Sequence, residues 1–190
     1  MQATAAVLRE ANQPFSIEQV TIDPPRAGEI LVRMRAVGIC HTDMIFASGA
    51  MGSPFPLILG HEGAGVVEAV GEGVTKVRPG QKVLLTFNSC GHCDQCDSGN
   101  PAYCHEFVAL NFACVRPDGS SCAHDHSGPV SARFFGQSSF ASHAIAAERN
   151  VIALPDDADL VRLAPLGCGV QTGVGAVLRS VKAQPGSALV

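Results

Sequence analysis

The sequence CGHCDQCDSGNPAYC, residues 90–104, places four cysteines within fifteen residues. They are Cys90, Cys93, Cys96 and Cys104, spaced C-x2-C-x2-C-x7-C and separated mostly by residues that favour turns. A structural zinc takes four ligands in a closed tetrahedron, and short cysteine spacings let one looping segment supply all of them. The segment therefore predicts a zinc-binding lobe over residues 88–105.

Three other interpretations of the four cysteines compete with zinc. Disulfides need an oxidising compartment, but Met1 is not followed by the basic segment and apolar run of a secretory signal. The bacterial iron–sulfur run ends in a three-residue gap, whereas the last gap here has seven residues. A redox C-x-x-C pair would leave two cysteines without a role. Structural zinc is therefore the interpretation that we favour.

Composition and charge describe an ordinary globular chain. Its 190 residues are 46% hydrophobic, which suffices for a core. A net charge of −4 with thirteen scattered Lys and Arg residues argues against nucleic acid as a partner. No run of eighteen uncharged apolar residues is present, so we expect no membrane span. We therefore expect a cytoplasmic protein.

Residues 1–155 show the alternation and turn spacing of a β protein. Glu29 to Ile39 alternates with the period of a partly buried strand, and further strands are predicted at residues 63–70, 82–87, 140–147 and 151–154. Twenty glycines and twelve prolines separate these short runs. The pattern predicts a mainly β fold with some α, arranged as a compact barrel.

Residues 156–186 change character. From Val174 to Val181, apolar side chains recur at i, i+3, i+4 and i+7, which predicts a helix. It would begin near Ala158 behind an aspartate cap and end near Lys182. Residues 187–190 look like the beginning of another strand.

A second group of metal-ligand residue types lies outside the lobe. Cys40, His61 and Cys168 could supply the three ligands of a catalytic zinc, which keeps a fourth position for water or substrate. A single buried cysteine or histidine is usually a packing residue. The hypothesis therefore depends on the sequence around each ligand.

That surrounding sequence resembles a known family. Gly38–Asp43 (GICHTD), Gly60–Gly65 (GHEGAG), the four-cysteine segment and Gly167–Gly169 (GCG) occur in the order found in zinc-dependent medium-chain alcohol dehydrogenases. Essentially the whole chain is similar to the N-terminal, GroES-like catalytic domain of these enzymes. Within the family it looks most like the aryl-alcohol, or benzyl-alcohol, dehydrogenases.

The resemblance implies two zinc ions per chain and a set of site residues. Cys40, His61 and Cys168 look like the catalytic zinc ligands, and the four cysteines of the lobe look like the structural site. Glu62 resembles the acidic neighbour that can bind the metal transiently. Thr42 resembles the residue that hydrogen-bonds the alcohol.

Three further residues take roles from the same resemblance. His41 sits where the family places a basic residue near the cofactor pyrophosphate. Asp43 matches a carboxylate that orients His61, and Phe140 resembles a wall of the substrate pocket. The implied reaction is oxidation of a small aromatic alcohol to its aldehyde with NAD, in an enzyme that is a homo-oligomer at full length.

The chain departs from the family pattern in two places. Ile45 stands where many relatives have a histidine that ends the proton relay, so the relay must end in water or another base. The only tempting G-x-G pairs, residues 167–169 and 173–175, lack the third glycine, the preceding strand and the later acidic residue of a dinucleotide site. The family's Rossmann domain would begin where this chain ends, and residues 187–190 would be its start. We therefore expect negligible NAD reduction by the isolated chain.

Two alternatives to an aryl-alcohol dehydrogenase stay open from the sequence. A glutathione-dependent formaldehyde dehydrogenase would share both zinc sites. A non-catalytic zinc-binding module would keep the lobe cysteines but need not keep Thr42 and Glu62 beside Cys40 and His61. The choice between NAD and NADP is also open.

Overall fold

The computed structural model describes residues 1–188 and contains mostly β structure. The strands are β1 (Gln2–Leu8), β2 (Ser16–Ile22), β3 (Glu29–Gly38), β4 (Leu57–Ile58), β5 (Glu62–Val70), β6 (Lys82–Leu85), β7 (Ala123–Asp125), β8 (Gly128–Val130), β9 (His143–Ala147) and β10 (Val151–Ala153). They form two five-stranded sheets, in the orders β4-β1-β2-β7-β8 and β10-β6-β5-β3-β9. Every strand pairing in these sheets is antiparallel.

The core lies between and behind the two sheets. Leu31 of β3 and Ile145 of β9 pack against Val7 and Val20 of the other sheet, whereas Ile30 packs in a second cluster behind β3. Residues Glu29 to Val32 are therefore buried on both faces of the strand. The prediction of a partly buried strand is wrong for this half of β3, because each of its faces has its own apolar cluster.

The prediction of a mainly β fold with some α is confirmed. Five strands match the predicted ranges, none extending more than one residue outside them: β3, β5, β6, β9 and β10. β1 and β2, which pair along six residues and form much of the first sheet, were not predicted.

The helices are short and lie in the connections. They are α1 (His41–Ala47), α2 (Asp94–Asp97), α3 (Phe107–Phe112), α4 (Leu160–Leu163) and α5 (Gly169–Gly175), with 3-10 turns at Pro101–Tyr103, Phe134–Gly136, Glu148–Asn150 and Ala164–Gly167 and a π-helical turn at Ala176–Val181. The single helix predicted near residues 158–182 is wrong. Cys168, at φ −144° and ψ −78°, breaks it into separate pieces.

The start of the helical segment differs from the prediction by a few residues. The Asp159 carboxylate accepts hydrogen bonds from the backbone N–H groups of Val161 (3.1 Å) and Arg162 (3.3 Å). It thus satisfies two amides that a helix N-terminus leaves without partners. The N-cap is Asp159, and not Asp156 or Asp157, because α4 begins only at Leu160.

The C-terminal helical segment packs little against the rest of the protein. α5 and the π-helical turn bury no residue, and Val174 and Leu178 are 50% and 63% exposed. Within residues 1–188 no single helix is long and apolar enough to cross a membrane; Leu160–Gly167 with Gly169–Val181 reaches that length only as a pair bent by 54°. The strand predicted at residues 187–190 lies partly outside the described residues, and the domain boundaries at residues 155 and 186 stay predictions.

Candidate metal centre

Three distant segments bring Cys40, His61 and Cys168 together. Cys40 follows β3, His61 precedes β5, and Cys168 lies in the break before α5. One ligand atom from each residue lies within 4.8 Å of the other two, and His61 Nε2 is 3.2 Å from Cys168 Sγ. Two thiolates and an imidazole are ligands that zinc prefers, and three protein ligands are the number found in catalytic zinc sites. The donor set fits a zinc ion with one open position.

Asp43 connects two of these ligand residues. Its carboxylate is 1% exposed and accepts hydrogen bonds from the backbone N–H groups of Cys40 (2.9 Å) and Gly60 (3.0 Å). It also contacts His61 Nδ1 at 3.0 Å. This contact leaves Nε2 of the imidazole directed at Cys168. A carboxylate on the far nitrogen of a ligand histidine fixes its tautomer and orientation.

The environment of His61 makes its imidazole a strong base. Burial alone would lower the pKa of His61, but its contacts with Asp43 and Cys168 raise it to about 10. Phe135 stacks on the imidazole with ring centroids 4.4 Å apart, and Phe134 meets it edge-on at 5.4 Å. The ring is therefore held on two sides by aromatic side chains and at Nδ1 by a carboxylate.

α1 also carries Thr42 and His41, two further predicted site residues, and Ile45. Thr42 Oγ1 lies 3.7 Å from Cys40 Sγ. Burial raises the pKa of the Cys40 thiol, but contacts with the Thr42 backbone and hydroxyl and with His61 lower it on balance. His41 is exposed at the start of the helix, and Ile45 is 37% exposed.

Glu62 connects β5 to the segment that carries Cys168. Its buried carboxylate accepts a hydrogen bond from the Gly169 N–H at 2.9 Å. On its other side a Cβ at Gly38 would overlap the Glu62 carboxylate, so glycine permits this close approach. Glu62 thus lies beside the three-ligand cluster and holds the residue that follows Cys168.

The four cysteines of the predicted lobe also come together. Their Sγ atoms all lie within 4.8 Å of one another, and Cys90 Sγ is 3.9 Å from Cys96 Sγ. A tetrahedron with zinc–sulfur bonds of about 2.3 Å has sulfur–sulfur edges of about 3.8 Å. All eight cysteines of the chain, which lie within the described residues, are free of disulfides. The lobe therefore fits a structural zinc.

Backbone N–H groups point at the sulfur atoms of the lobe. Cys90 N–H donates to Cys104 Sγ at 3.2 Å, and Gly91 N–H donates to Cys96 Sγ at 3.4 Å. Burial and contacts with the Cys104 and Cys93 thiols raise the pKa of Cys90 to about 11, whereas hydrogen bonds from the backbone of His105 and Cys96 lower the pKa of Cys93 to about 6. Such bonds favour the thiolate, which is the form that binds metal.

An aromatic cavity of about 290 Å³ adjoins Cys168. It is lined by Phe87, Ala102, Phe107, Phe135, Gly167, Cys168, Gln171 and Thr172. Within residues 1–188 no charged side chain lines it. No periodic pattern marks its three phenylalanines in the sequence, because they come from three separate loops or short helices.

The structure places Phe140 outside the residues that line this cavity. Phe140 faces a separate groove of about 640 Å³ with Phe15 and Met34. The reason is local: Ser139 and Phe140 donate backbone hydrogen bonds to the carbonyls of Gly60 (2.8 Å) and Leu59 (2.9 Å), which fixes this segment alongside residues 59–60. Phe87, Phe107 and Phe135 stand at the cavity instead.

Comparison with known proteins identifies the family. The alcohol dehydrogenase GroES-like domain model matches residues 26–156. The chain belongs to this family. The membership predicted from the four motifs is therefore confirmed, and with it the GroES-like fold and a zinc-type alcohol dehydrogenase ancestry.

The relatives act on different alcohols. The chain is 47% identical to geraniol dehydrogenase of Castellaniella defragrans over all 190 residues and 51% of that protein. It is 38% identical to S-(hydroxymethyl)glutathione dehydrogenase of Saccharomyces cerevisiae, over 98% of this chain and 49% of that protein. The chain thus spans about half the length of the curated relatives that it matches.

Two crystal structures show the same fold. An alcohol dehydrogenase zinc-binding domain protein from Burkholderia ambifaria is 50% identical with a TM-score of 0.94, over 97% of this chain and 50% of that one. Benzyl alcohol dehydrogenase from Acinetobacter calcoaceticus is 39% identical with a TM-score of 0.93, over 99% of this chain and 51% of that one.

Proposed function

We propose that the chain forms the catalytic-domain portion of a zinc-dependent alcohol dehydrogenase that oxidises a primary alcohol to its aldehyde with NAD. The observation that carries the proposal is the three-ligand cluster of Cys40, His61 and Cys168 beside an uncharged aromatic cavity. A non-catalytic zinc module would need the four-cysteine lobe but no second, open ligand set next to a cavity.

The roles of the individual residues follow from their positions. Cys40, His61 and Cys168 would hold the catalytic zinc, which when bound supplies the Lewis acidity that makes an alcohol a stronger acid and polarises an aldehyde. Asp43 orients His61. Thr42, next to Cys40 Sγ, would accept the alcohol proton and pass it outward. Glu62 would hold the segment of Cys168 through Gly169 and stay available as a nearby carboxylate.

The proton must leave by a route without a relay histidine. Ile45 occupies the position concerned, and its side chain cannot accept a proton. Exposed His41 lies one residue before Thr42, where the resemblance implies a contact with the cofactor pyrophosphate. We propose that solvent takes the proton from Thr42.

The substrate class that we propose is a small aromatic primary alcohol of the benzyl type. Phe87, Phe107 and Phe135 can surround a flat apolar group, since aromatic rings favour edge-to-face and offset contacts. Benzyl alcohol and geraniol, named by two of the relatives, share an sp² carbon next to the carbinol carbon. An allylic alcohol such as geraniol is therefore a second candidate, supported by the 47% identity.

A glutathione adduct fits the cavity less well. Its carboxylates would need cationic partners, and no charged residue of the described chain lines the cavity. The volume of the cavity, about 290 Å³, is also at the lower end of the range for ligand pockets. These two properties favour a small uncharged alcohol over S-(hydroxymethyl)glutathione.

The experiment that tests the proposal is titration of the cobalt-loaded chain with benzyl alcohol, geraniol and S-(hydroxymethyl)glutathione, followed by visible absorption. Cobalt replaces zinc in such sites and reports changes at its open position. We expect the first two compounds to perturb the spectrum and the glutathione adduct to leave it unchanged. Phe135→Ala should weaken the response to benzyl alcohol. A response to the glutathione adduct alone would favour the alternative function.

NAD reduction needs a partner domain in this proposal. Both sheets of the described residues are purely antiparallel, whereas a dinucleotide-binding βαβ unit is parallel. We expect the 190-residue chain to reduce NAD negligibly with benzyl alcohol. Rapid turnover by the pure chain would contradict this expectation.

Assembly and location are also proposals. The exposed apolar side chains of α5 and the π-helical turn favour association with another surface, in keeping with a homo-oligomeric enzyme. Light scattering of the chain at high concentration tests this, because a monodisperse monomer would argue against it. Cytoplasmic location stays a prediction.

A further inference from the structure

A gap between two strands lies beside the candidate catalytic centre. The ladder between β5 and β6 pairs Val66 with Lys82, Gly65 with Val83 and Ala64 with Leu84, and it stops there. Beyond this point the strands separate, and the side chain of Gln137, which is 0% exposed, occupies the space between them.

The Gln137 amide replaces the missing ladder hydrogen bonds. Its Nε2 donates to the backbone carbonyl oxygens of His61 (3.0 Å) and Thr86 (3.3 Å). Its Oε1 accepts from the Gly63 N–H (3.1 Å) and from the Ser139 hydroxyl (2.6 Å). A side-chain amide has two N–H donors and two acceptor lone pairs, so Gln137 makes all four of the hydrogen bonds that it can make. One side chain thus joins the end of β6 to the start of β5.

Each side of the gap carries one ligand residue. His61 lies on the β5 side. On the β6 side, the Thr86 hydroxyl donates to the Gly167 carbonyl at 2.9 Å, and a Cβ at Gly167 would overlap the Leu85 carbonyl. Cys168 therefore follows a residue that packs against the end of β6, and His61 precedes β5.

We propose that Gln137 is a positioning residue for the catalytic metal, holding β5 and β6 at the separation that brings His61 and Cys168 into one ligand set. This inference rests on the proposed function. Without the amide, the Gly63 N–H and the His61 carbonyl would lose these partners inside the protein, whereas the Thr86 carbonyl would keep its hydrogen bond from Asn150. Buried groups that lose their partners favour rearrangement, here closure of the gap or entry of water.

The test is binding of cobalt alone to the full chain and to Gln137→Met, which keeps the length of the side chain and removes the amide. We expect two equivalents in the wild type. The catalytic-site cobalt is identified as the one that Cys168→Ala fails to bind. In Gln137→Met this cobalt should bind about 10- to 100-fold more weakly, whereas the affinity of the lobe for cobalt should be unchanged. Ser121→Ala is the matched control, because Ser121 is also buried and its hydroxyl binds three backbone groups, on Ala123 and Val130 in the first sheet.

The outcomes separate this inference from the proposed function. A wild-type chain that takes up one equivalent would overturn the three-ligand centre itself. Two equivalents in Gln137→Met with unchanged affinities, together with a loss of stability like that of Ser121→Ala, would overturn the positioning role alone. If Gln137→Met does not fold, Gln137→Glu keeps an acceptor for the Gly63 N–H but can no longer donate to both the His61 and Thr86 carbonyls, and an unchanged affinity in that variant would also overturn the inference.

Discussion

Replacing Asp43 by asparagine should weaken the catalytic metal site and spare the lobe. Asp43 accepts hydrogen bonds from Cys40 N–H and Gly60 N–H and contacts His61 Nδ1, all at 2.9 to 3.0 Å. Asparagine has the same shape, but one of its two terminal atoms is a donor. Whichever way the amide is oriented, its NH₂ group faces at least one N–H group that donates to a carboxylate oxygen in the wild type.

The size of the effect follows from these contacts. A buried donor that loses its acceptor costs about 1–3 kcal/mol. Loss of the carboxylate also removes the negative charge that raises the pKa of His61, so the imidazole becomes a weaker ligand. We expect the affinity of the three-ligand site to fall about 10- to 100-fold, which corresponds to about 1.4–2.8 kcal/mol.

The assay is competition for zinc between the chain and a chelator, with the lobe as an internal reference. Asp125→Asn is the matched control, because the Asp125 side chain is 2% exposed and paired with Arg9, away from both metal sites. We expect the control to keep both affinities. Equal affinities in Asp43→Asn and the wild type, or equal losses at both sites, would refute the reasoning.

Three other predictions follow from single contacts. Hydrogen bonds from Arg116 overcome the effect of burial and lower the pKa of Glu29 below 4.5. The contribution of Glu29 to stability is therefore complete above about pH 4.5 and is lost as the pH falls through the folded-state pKa. In urea unfolding from pH 7 to 3, the free energy of unfolding should decline less steeply in Glu29→Gln than in the wild type, and an identical decline would contradict this. Gly38→Ala should displace the Glu62 carboxylate and weaken the three-ligand site, as measured by chelator competition; unchanged affinity would show that the overlap is relieved elsewhere. Chelation of zinc should expose residues 90–104 to proteolysis before the sheets, and uniform cleavage would contradict an independent lobe.

The candidate ligand residues could be proposed from the sequence because their signals are local. Four cysteines at short spacings define the lobe, and the motifs around Cys40, His61 and Cys168 carry the family resemblance. The strands with clear alternation were located to within a few residues for the same reason. Helix periodicity predicted one continuous helix across Cys168, and that prediction is wrong. The apolar pattern continues on the C-terminal side of Cys168, but the backbone bends at this candidate ligand and interrupts the helix.

The supporting residues could not be anticipated because their roles depend on distant backbone. Phe135 reaches His61 only through a turn in which its own φ is 50°, a conformation that phenylalanine rarely adopts. Gln137 is an ordinary polar residue in the sequence, and its role depends on a gap between β5 and β6. Phe140 was assigned to the pocket by resemblance, and the two hydrogen bonds after Ser138 direct it to another groove.

The most direct measurement is the number of zinc ions per chain, by elemental analysis of the pure protein with and without Cys168→Ala. The account predicts two zinc ions in the wild type and about one in the variant, because an open three-ligand site that loses a ligand no longer holds its metal tightly. One zinc ion in both proteins would contradict it, since the lobe alone would then bind metal and Cys40, His61 and Cys168 would not form a metal centre in this chain.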